Sequence, residues 1–500
     1  MSNLKISEDV QYYSWQIAFV YVFNLIVGAG ALTLPKAFAQ TGWVLGLAAL
    51  GVLALMSYCT TTFMIEAMSI ANAIIRIKNK SGPTESCHLC SRFIYGKMAV
   101  NSVAQYVTND AFPEVEQTLN IQTDEDNEDL ISNHSNNEVY LYEITEKVEM
   151  GQLARFFFNK VGLVLYYIVI ALYLYGDLAI YAAAVPKSLT TVICGGTVSF
   201  KKEDLKNPCK NAKSLSVEDM YRIMLVVFVA LLCPFAFFNL SKTKLLQIFT
   251  TLFRWIAFIL MIILAIVKIS NGEGTHRVKL LDFTKLPNFF GVAVYAFMCQ
   301  HSLPSIVTPV RNKSRINFII LMDFFLVSLF YVLLVLTAVF SVAESKLEDL
   351  YTLNFESPAF CKYFLELFPV FTLSTSFPII AITLRENLKT LFMKEDRQYG
   401  LFMRRYLFPL VTVTPPVIIA FVTSDVNFLV SVTGSYAGAV IQYVIPVMLV
   451  YSGRNQIKKC LGSYVNKYRS PFRQRSWIFF VIAWYAACLI FVTIDHIRHS

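Results

Sequence analysis

The first apolar stretch of the chain is interrupted by the sequence Asn24-Leu-Ile-Val-Gly28-Ala29-Gly30-Ala31-Leu-Thr-Leu-Pro35. In a membrane, each backbone N–H or C=O group that a broken helix frees is costly unless protein or a polar cavity satisfies it. Such a break exposes the N-terminus of one half-helix, which suits a carboxylate, and the carbonyl groups of the other, which suit a cation. Because glycine and proline also serve as packing and kink residues in membrane helices, one break alone does not identify a site.

A second apolar stretch is broken in a similar way. It reads Tyr295-Ala-Phe-Met-Cys299-Gln300-His301-Ser302-Leu-Pro304, with a polar quartet and a proline near its centre. This stretch opens a second set of five predicted spans, just as the first break opens the first set. Interruptions at corresponding positions of two halves are typical of transporters built on inverted repeats, whose substrate binds midway across the bilayer.

Composition extends the argument to the whole chain. Of its 500 residues, 56% are hydrophobic and only 15% are charged, whereas soluble proteins use about 25% charged residues. A water-soluble protein is therefore excluded. With ~20 apolar residues per crossing, we predict an all-α membrane protein of about eleven spans, near residues 14–38, 42–70, 160–186, 219–239, 245–268, 288–310, 316–342, 363–384, 405–424, 426–451 and 476–497.

A long polar stretch, residues 77–157, separates spans 2 and 3. It contains the acidic run Asp124-Glu-Asp-Asn-Glu-Asp129 and few large apolar residues. That composition predicts a disordered loop rather than a second folded domain. The predicted organisation is spans 1 and 2 within 1–76, the loop 77–157, spans 3–5 within 158–268, spans 6–10 within 288–451, and span 11 within 476–500.

Basic residues set the predicted orientation, because the cytosolic loops of membrane proteins are enriched in lysine and arginine. With a cytosolic N-terminus, the short inner connections hold most of these residues, including the stretch from Arg454 to Arg475. The outer connection 188–218 also carries five lysines, so the enrichment of basic residues on the inner side is clear but has one exception. We predict a multi-pass protein with its N-terminus in the cytosol, and the plasma membrane and the endolysosomal membrane stay open as alternatives.

The cysteines add one predicted disulfide. Cys194 and Cys209 fall on the predicted outer side, where oxidation is possible, and we expect them to pair. A loop of about 15 residues closed in this way would contribute ~3 kcal/mol if unstrained. The string Cys87-His-Leu-Cys90 is half of a zinc site, but no second pair stands at a suitable spacing, so we predict no metal beyond a sodium ion.

The chain resembles the amino acid/auxin permease family within the wider amino acid–polyamine–organocation superfamily. The resemblance rests on the span 6 string above and on the stretches 23–43, 60–67 and 173–186. It covers nearly all of the membrane part. It implies eleven spans, a leucine-transporter-type core of five plus five helices, and cation-coupled amino acid transport. Lys36 departs from the tyrosine that many relatives carry after Leu-Pro, so their substrate specificity does not transfer simply.

The resemblance also implies a sodium site. Asn24 falls where sodium-coupled relatives have an asparagine implicated in coupling, and an amide oxygen is a reasonable ligand for a hard cation. In relatives, span 8 supplies hydroxyl groups ahead of a proline, and here the candidates are Thr372, Ser374, Thr375 and Ser376. The alternative for Asn24 is a hydrogen bond between helices, and the alternative for the hydroxyl groups is ordinary helix packing.

Asp177 is the charged residue that stands out most clearly within a span, where charges are costly enough to be functional suspects. We expect a buried carboxylate there to couple a proton or another cation. The alternative is a structural ion pair with Arg254 of span 5 or with Lys36. Glu66 and Asp323 lie nearer span ends, where solvated or ion-paired roles are expected.

The substrate pocket is predicted between the two breaks. His301 is either a group that titrates near neutral pH or a hydrogen-bonded part of the lining. We expect the backbone of span 1 to hold the carboxylate and amine of the substrate together with span 6, and two tyrosines to line the pocket. The predicted substrate-binding residues are Val27, Gly28, Ala29, Gly30, Ala31, Tyr175, Tyr295, Cys299, Gln300 and His301.

These features predict a secondary transporter that moves a neutral amino acid with sodium, or alternatively with protons, by alternating access. No phosphate-binding loop, hydrolase elbow or zinc-protease motif occurs in the sequence, so we predict that the protein is not an enzyme. The expected partners are a small-molecule substrate and the lipid bilayer, with no nucleic acid and no cofactor beyond the coupling ion. The alternative function is a membrane amino acid sensor that keeps the site and signals through its cytosolic loop.

Overall fold

The computed structural model describes residues 12–80, 141–195, 198, 200, 204–237, 244–274, 278–356, 358–393, 400, 406–461 and 466–499. Within these residues the backbone is mostly helical, and the only β-structure is two isolated bridges, Tyr13 with Val310 and Pro208 with Ser216. Because long apolar stretches in a bilayer must satisfy their backbone groups internally, a helical bundle is the expected outcome.

The helices follow the order of the predicted spans. Their bounds are α1 Trp15–Ile26 and α2 Gly30–Thr41 (span 1), α3 Trp43–Lys80 (span 2), α4 Met150–Phe157, α5 Lys160–Cys194 (span 3), α6 Val217–Leu232 (span 4), α7 Lys244–Ser270 (span 5), α8 Leu286–Ala296 and α9 Leu303–Val307 (span 6), α10 Ile316–Ser341 (span 7), α11 Ala359–Phe392 (span 8), α12 Phe408–Val422 (span 9), α13 Val426–Thr433 and α14 Ile445–Leu461 (span 10), and α15 Arg475–His499 (span 11). Short 3₁₀ turns occupy Cys233–Phe237, Phe283–Lys285, Glu344–Lys346 and Tyr351–Asn354.

Eight of the described helices are long and apolar enough to cross a bilayer, and the bent pair α1–α2 makes nine. The other two predicted spans are the shorter apolar helix α12 and the interrupted pair α8–α9. We call the side of the bundle on which α1 begins the near face and the opposite side the far face. The near face carries the connections around 141–149, 308–315 and 466–474, and the far face those around 204–216, 278–285 and 342–358.

Spans 1 and 6 are both discontinuous. In span 1, α1 ends at Ile26, α2 begins at Gly30, and the two helices are bent by 55° relative to each other. In span 6, residues 297–302 separate α8 from α9 without helical structure. The predicted all-α membrane fold with breaks in these two spans is confirmed.

Span 10 has a third irregularity that the sequence analysis did not predict. Between α13 and α14 the chain forms two π-helical segments, Gly434–Gly438 and Val440–Val444. A Cβ atom added to Gly434 would lie 1.9 Å from the carbonyl oxygen of Gly291 in α8, so only glycine allows this approach. Wider π turns are frequent at functional sites, and this one brings the backbone of span 10 directly onto span 6.

The prediction of a disordered loop over 77–157 is wrong for its ends. Helix α3 continues to Lys80, and residues 141–157 are folded, whereas residues 81–140, with the string Cys87–Cys90, lie outside the described residues. The Asn72 side-chain oxygen accepts hydrogen bonds from the backbone N–H groups of Thr145 and Glu146, at 3.1 and 2.8 Å. The segment 141–157 was missed because its apolar side chains follow a long polar run. Those that are buried are Tyr142, Ile144, Val148, Met150, Leu153, Ala154 and Phe157.

Candidate substrate and coupling site

The two breaks meet at Gly30. A Cβ atom at this position would lie 2.7 Å from the Cα atom of Ala296 and 2.9 Å from a ring carbon of Tyr295. Helix α2 therefore begins directly against the end of α8, and no larger residue fits. Gly28 is different, because the nearest atom to its added Cβ would be the carbonyl oxygen of Ile26, 3.9 Å away. Gly28 and Ala29 are partly exposed, whereas Val27 and Ala31 are buried, so the open side of the break lies at Gly28 and Ala29.

Arg254 of span 5 binds the carbonyl end of α1. Its Nη1 atom donates to the backbone oxygens of Asn24 and Val27, at 2.7 and 2.9 Å, and lies 3.3 Å from the Asn24 side-chain oxygen. The Asn24 side-chain nitrogen donates to the Thr251 hydroxyl at 2.8 Å. The carbonyl groups that were expected to face a bound cation are thus satisfied by the protein's own guanidinium group.

Tyr331 of span 7 joins the two breaks. Its hydroxyl oxygen lies 3.1 Å from the carbonyl oxygen of Ile26 and 2.9 Å from that of Ala296, the last residues of α1 and α8. The side chain is fully buried. Because one hydroxyl has one proton, it can donate to one of the two carbonyl groups at a time. Tyr331 therefore holds the C-terminal ends of both first half-helices without a net charge.

Asp177 lies on one face of span 3 with two tyrosines. Tyr173, Asp177 and Tyr181 follow each other at a spacing of four residues, which places them on the same side of a helix. The Asp177 carboxylate is buried and lies near the Tyr173 and Tyr295 hydroxyl groups. Among the described residues, its Oδ1 atom has no hydrogen-bond partner. The alternative of an ion pair with Arg254 or Lys36 is wrong, since both cations bind elsewhere.

The prediction that Tyr175 lines the pocket is also wrong. Tyr175 stands two residues from Tyr173, which turns it toward the other side of span 3, and its hydroxyl donates to the Val411 carbonyl oxygen of span 9 at 2.9 Å. Tyr173 lies beside two of the residues predicted from span 6, because its ring is 6.3 Å from that of Tyr295 and 5.5 Å from that of His301. The helical spacing from Asp177 is the signal that would have identified Tyr173.

The polar residues of the span 6 break have different surroundings. Gln300 is buried, its Nε2 atom lies 3.2 Å from the Thr61 hydroxyl, and its Oε1 atom accepts from the Cys299 backbone at 3.0 Å. The Cys299 sulfur lies 3.6 Å from the same Thr61 hydroxyl. These two residues tie the break to span 2. His301 is partly exposed, and its Nδ1 atom has no partner among the described residues, so it is the residue of the three that is left to meet a ligand.

Span 8 packs against span 5, which carries Arg254. Three of its four candidate hydroxyl groups donate to carbonyl groups of their own helix: Thr372 to Phe368, and both Thr375 and Ser376 to Thr372, at 2.9 to 3.1 Å. Ser374 is partly exposed. Back-bonding of this kind is the ordinary behaviour of serine and threonine in helices.

The far face carries a buried charge network. Asp349 pairs with Lys36 at 2.5 Å and with Lys187 at 2.6 Å, which links span 1, span 3 and the connection before span 8. Burial opposes ionisation of Asp349, but the two lysine charges and their hydrogen bonds outweigh it and hold its pKa at about 2. Burial and the nearby charge of Asp349 raise the pKa of Asp425, which caps α13 by accepting from the Phe428 backbone. Lys36 is therefore a structural residue of the far face.

A second ion pair lies toward the near face, where the Glu66 carboxylate accepts hydrogen bonds from Nε and Nη2 of Arg454, at 2.8 and 2.7 Å. The Ser470 backbone N–H also donates to Glu66 at 2.9 Å. This agrees with the ion-paired role expected for Glu66. On the far face, a disulfide joins Cys194 and Cys209, whose Cα atoms are 4.7 Å apart.

Comparison with known proteins decides the family. The sequence profile of the family described as "Transmembrane amino acid transporter protein" matches residues 12–109 and 137–494. The chain belongs to this family. The predicted family and the multi-pass membrane character are therefore confirmed. Members of this family are described as transporters rather than as enzymes.

The chain is also similar along its length to proteins named "Transmembrane protein 104". It is 45% identical to those of Gallus gallus and Homo sapiens, over 98% of this chain and 97% of each relative. It is 34% identical to a homolog from Dictyostelium discoideum, over 97% of both chains. These names specify neither a substrate nor a coupling ion.

Proposed function

We propose that the protein carries a neutral amino acid across the membrane by alternating access and that protons, rather than sodium ions, drive the transport. The observation that carries the choice of ion is the Arg254 guanidinium group on the Asn24 and Val27 carbonyl oxygens. Membership of an amino acid transporter family supports the class of substrate.

The fixed charge of Arg254 argues against sodium at the same carbonyl groups. Two unit charges 4 Å apart repel each other by about 4 kcal/mol at an effective dielectric constant of 20. A sodium ion at the end of α1 would meet this repulsion and would have to displace hydrogen bonds of 2.7 and 2.9 Å. The positive end of the site is therefore supplied by the protein, and coupling needs a different group.

Asp177 is the group that we assign to coupling. It is a buried carboxylate that lies near the hydroxyl groups of Tyr173 and Tyr295, and one of its oxygens has no partner among the described residues. A proton would neutralise it without requiring a coordination shell. Because Tyr295 also contacts the start of α2 through Gly30, protonation of Asp177 and closure of the pocket act on the same residue.

The substrate would lie at the open side of the span 1 break. The first backbone hydrogen bonds of α2 run from the N–H groups of Ala31 and Leu32 to the carbonyl oxygens of Gly28 and Ala29, at 3.2 and 3.1 Å, so the N–H groups before Ala31 are the ones left for a ligand. Such a helix N-terminus favours a carboxylate. The amine would lie toward the carbonyl groups of the span 6 break, beside His301.

Two features support a cytosolic near face. Basic residues are concentrated in the near-face connections, and the disulfide between Cys194 and Cys209 lies on the far face, where an oxidising compartment would preserve it. The plasma membrane and the endolysosomal membrane both satisfy this orientation.

The test uses the full-length protein in proteoliposomes loaded with potassium and screened with neutral amino acids. In choline buffer, a proton gradient directed into the liposomes is expected to drive uptake. Replacing choline by sodium is expected to leave the rate of uptake unchanged. Asp177→Asn should abolish the response to pH, whereas Glu273→Gln, which changes an exposed far-face carboxylate, should not. Uptake that requires sodium, or no uptake of any amino acid under either gradient, would overturn the proposal.

The folded segment 141–157 favours one second candidate, an amino acid sensor. Through Thr145 and Glu146 this segment is bonded to Asn72 of span 2, and Thr61 of the same span bonds to the span 6 break. A conformational change at the span 6 break would thus be transmitted through span 2 to the segment 141–157 and to the polar stretch that precedes it. The sensor function predicts that a cytosolic partner binds this protein in an amino acid-dependent way. It also predicts that amino acid flux is unmeasurable both in the wild type and in Asp177→Asn.

A further inference from the structure

Asp323 is a second buried carboxylate, on span 7, and the proposed mechanism does not use it. Its side chain is fully buried, and neither carboxylate oxygen has a hydrogen-bond partner among the described residues. The sequence-based expectation of a solvated or ion-paired role is therefore wrong. Asp323, Val327 and Tyr331 recur every four residues, so Asp323 lies on the same face of α10 as Tyr331 and about 12 Å closer to the near face.

The surroundings of Asp323 provide no compensating charge. Spans 1, 2 and 5 pack against span 7. At the depth of Asp323 and the breaks, the ionisable side chains of these elements are Tyr21, Tyr58, Cys59 and Arg254, of which Arg254 alone is cationic. Arg254 is bound to the Asn24 and Val27 carbonyl oxygens.

Three charged groups farther along these helices and in the adjacent connection bind elsewhere, and Arg311 and Arg315 of that connection are exposed. Lys36 pairs with Asp349, Glu66 pairs with Arg454, and Lys313 donates to the Val310 carbonyl oxygen at 2.6 Å. A buried carboxylate without a positive partner is strongly unfavourable, so some other species has to neutralise Asp323.

The position of Asp323 relative to the span 6 break indicates that species. The next residue along the helix, Phe324, packs against Phe297 of the break, at 6.3 Å between ring centres, and against Tyr58, at 6.2 Å. Asp323 therefore lies one residue from an aromatic cluster that reaches the span 6 break. A metal cation would need several oxygen ligands, but both oxygens of Asp323 lack even one polar partner among the described residues. A proton needs no further ligand.

We propose that Asp323 is a proton-binding site on the near-face side of the span 6 break, separate from Asp177. The proposal rests on the proton-coupled transport proposed above. In its protonated form Asp323 is neutral and stabilises the closed packing around Phe297 and Phe324. Loss of the proton leaves a buried charge, which favours the conformation that admits water from the near face. Proton release would therefore be linked to opening of that face.

The transport test compares Asp323→Asn with the wild type in proteoliposomes. Asparagine has the size and neutrality of a protonated aspartate, so the variant should fold and should stay in the proton-loaded form. We expect loss of accumulation driven by a pH gradient, while exchange of internal for external amino acid, which needs no net proton release, is retained. Wild-type accumulation would overturn the proposal. Loss of exchange in a variant that folds would also overturn it, since the residue would then serve the substrate or the structure.

Infrared difference spectroscopy gives a readout that does not depend on transport. A protonated carboxyl group in an apolar site has a carbonyl stretching band that shifts on deuteration. We expect Asp323→Asn to lose one such band that Asp177→Asn and Glu273→Gln both retain. If Asp323→Asn fails to assemble, the double variant Asp177→Asn/Glu366→Gln decides, because it also removes the buried Glu366 carboxyl group and a buried carboxylic acid band must remain in it. No such band would overturn the assignment of Asp323, whereas a band without any amino acid uptake by the wild type would count only against the proposed transport.

Discussion

Nη1 of Arg254 lies 2.9 Å from the carbonyl oxygen of Val27, at the point where the first helix of the bundle stops. The same atom binds the Asn24 carbonyl oxygen at 2.7 Å. Replacing Arg254 by alanine should leave these carbonyl groups unpaired at about 1–3 kcal/mol each, so the melting temperature should fall and uptake should be lost. Adding guanidinium ions should restore part of the uptake. Arg222→Ala, which removes an exposed arginine paired with Glu218, is the matched control, and full uptake by Arg254→Ala without added ions would contradict the assignment.

The two glycines of the span 1 break should respond differently to alanine. In Gly30→Ala the new methyl group would meet the Ala296 backbone at 2.7 Å, so we expect a loss of stability of about 1–3 kcal/mol and no uptake. In Gly28→Ala the methyl group has open space, so the melting temperature should not change. Because that space is the proposed substrate site, the apparent KM should rise more for leucine than for alanine. Equal KM changes for both substrates would remove Gly28 from the lining.

Tyr331 should be needed for activity beyond its contribution to packing. Tyr331→Phe keeps the ring but removes the hydroxyl group that reaches Ile26 and Ala296, which should cost about 1–2 kcal/mol of stability. Uptake should fall much more than expression or melting temperature, since both half-helix ends lose their common partner. Tyr363→Phe changes an exposed tyrosine of span 8 and should have no effect. Similar uptake by the two variants would show that the shared hydroxyl is dispensable.

The far-face network predicts a particular dependence on pH. The pKa of Asp349 is about 2, below its usual value of about 3.9, so its contribution to stability is present above the usual value and is lost as pH falls through the lower one. This contribution should be constant from pH 7 to pH 5 and should disappear between about pH 4 and pH 2. Asp349→Asn should destabilise the protein by about 3–5 kcal/mol at neutral pH, because Lys36 and Lys187 lose a buried partner. The difference in melting temperature between wild type and variant, followed against pH, measures this directly. A difference that already shrinks between pH 7 and pH 5 would contradict it.

The sequence predicts the spans and their breaks well because length, hydropathy and the placement of glycine and proline act locally. It predicts less well which side chains face the breaks. Helical spacing places Tyr173 on the same face as Asp177, but which face of span 3 meets the breaks depends on the rotation of span 3 against spans 6 and 9, which packing decides. Asp323 was expected to be solvated or ion-paired because it lies nearer a span end, yet the packed helices bury it completely.

The role of Arg254 could not be deduced for a related reason. The sequence offers two buried opposite charges, Arg254 and Asp177, and pairing them is the simplest expectation. In the structure, unpaired backbone carbonyl groups compete for the same cation and bind it. Such groups arise only where a helix is broken, so a partner that is not a side chain becomes visible only when the two halves of span 1 are in place.

The contact between Gly434 and Gly291 constrains how the bundle can rearrange. A separation as small as that between these two backbones leaves no layer of side chains that could slide, so α8 and the π-helical part of span 10 must travel together as one rigid unit. In the alternating-access mechanism proposed above, opening the span 1 break to one side of the membrane then has to separate this unit from α2, at the contact where Gly30 meets Ala296.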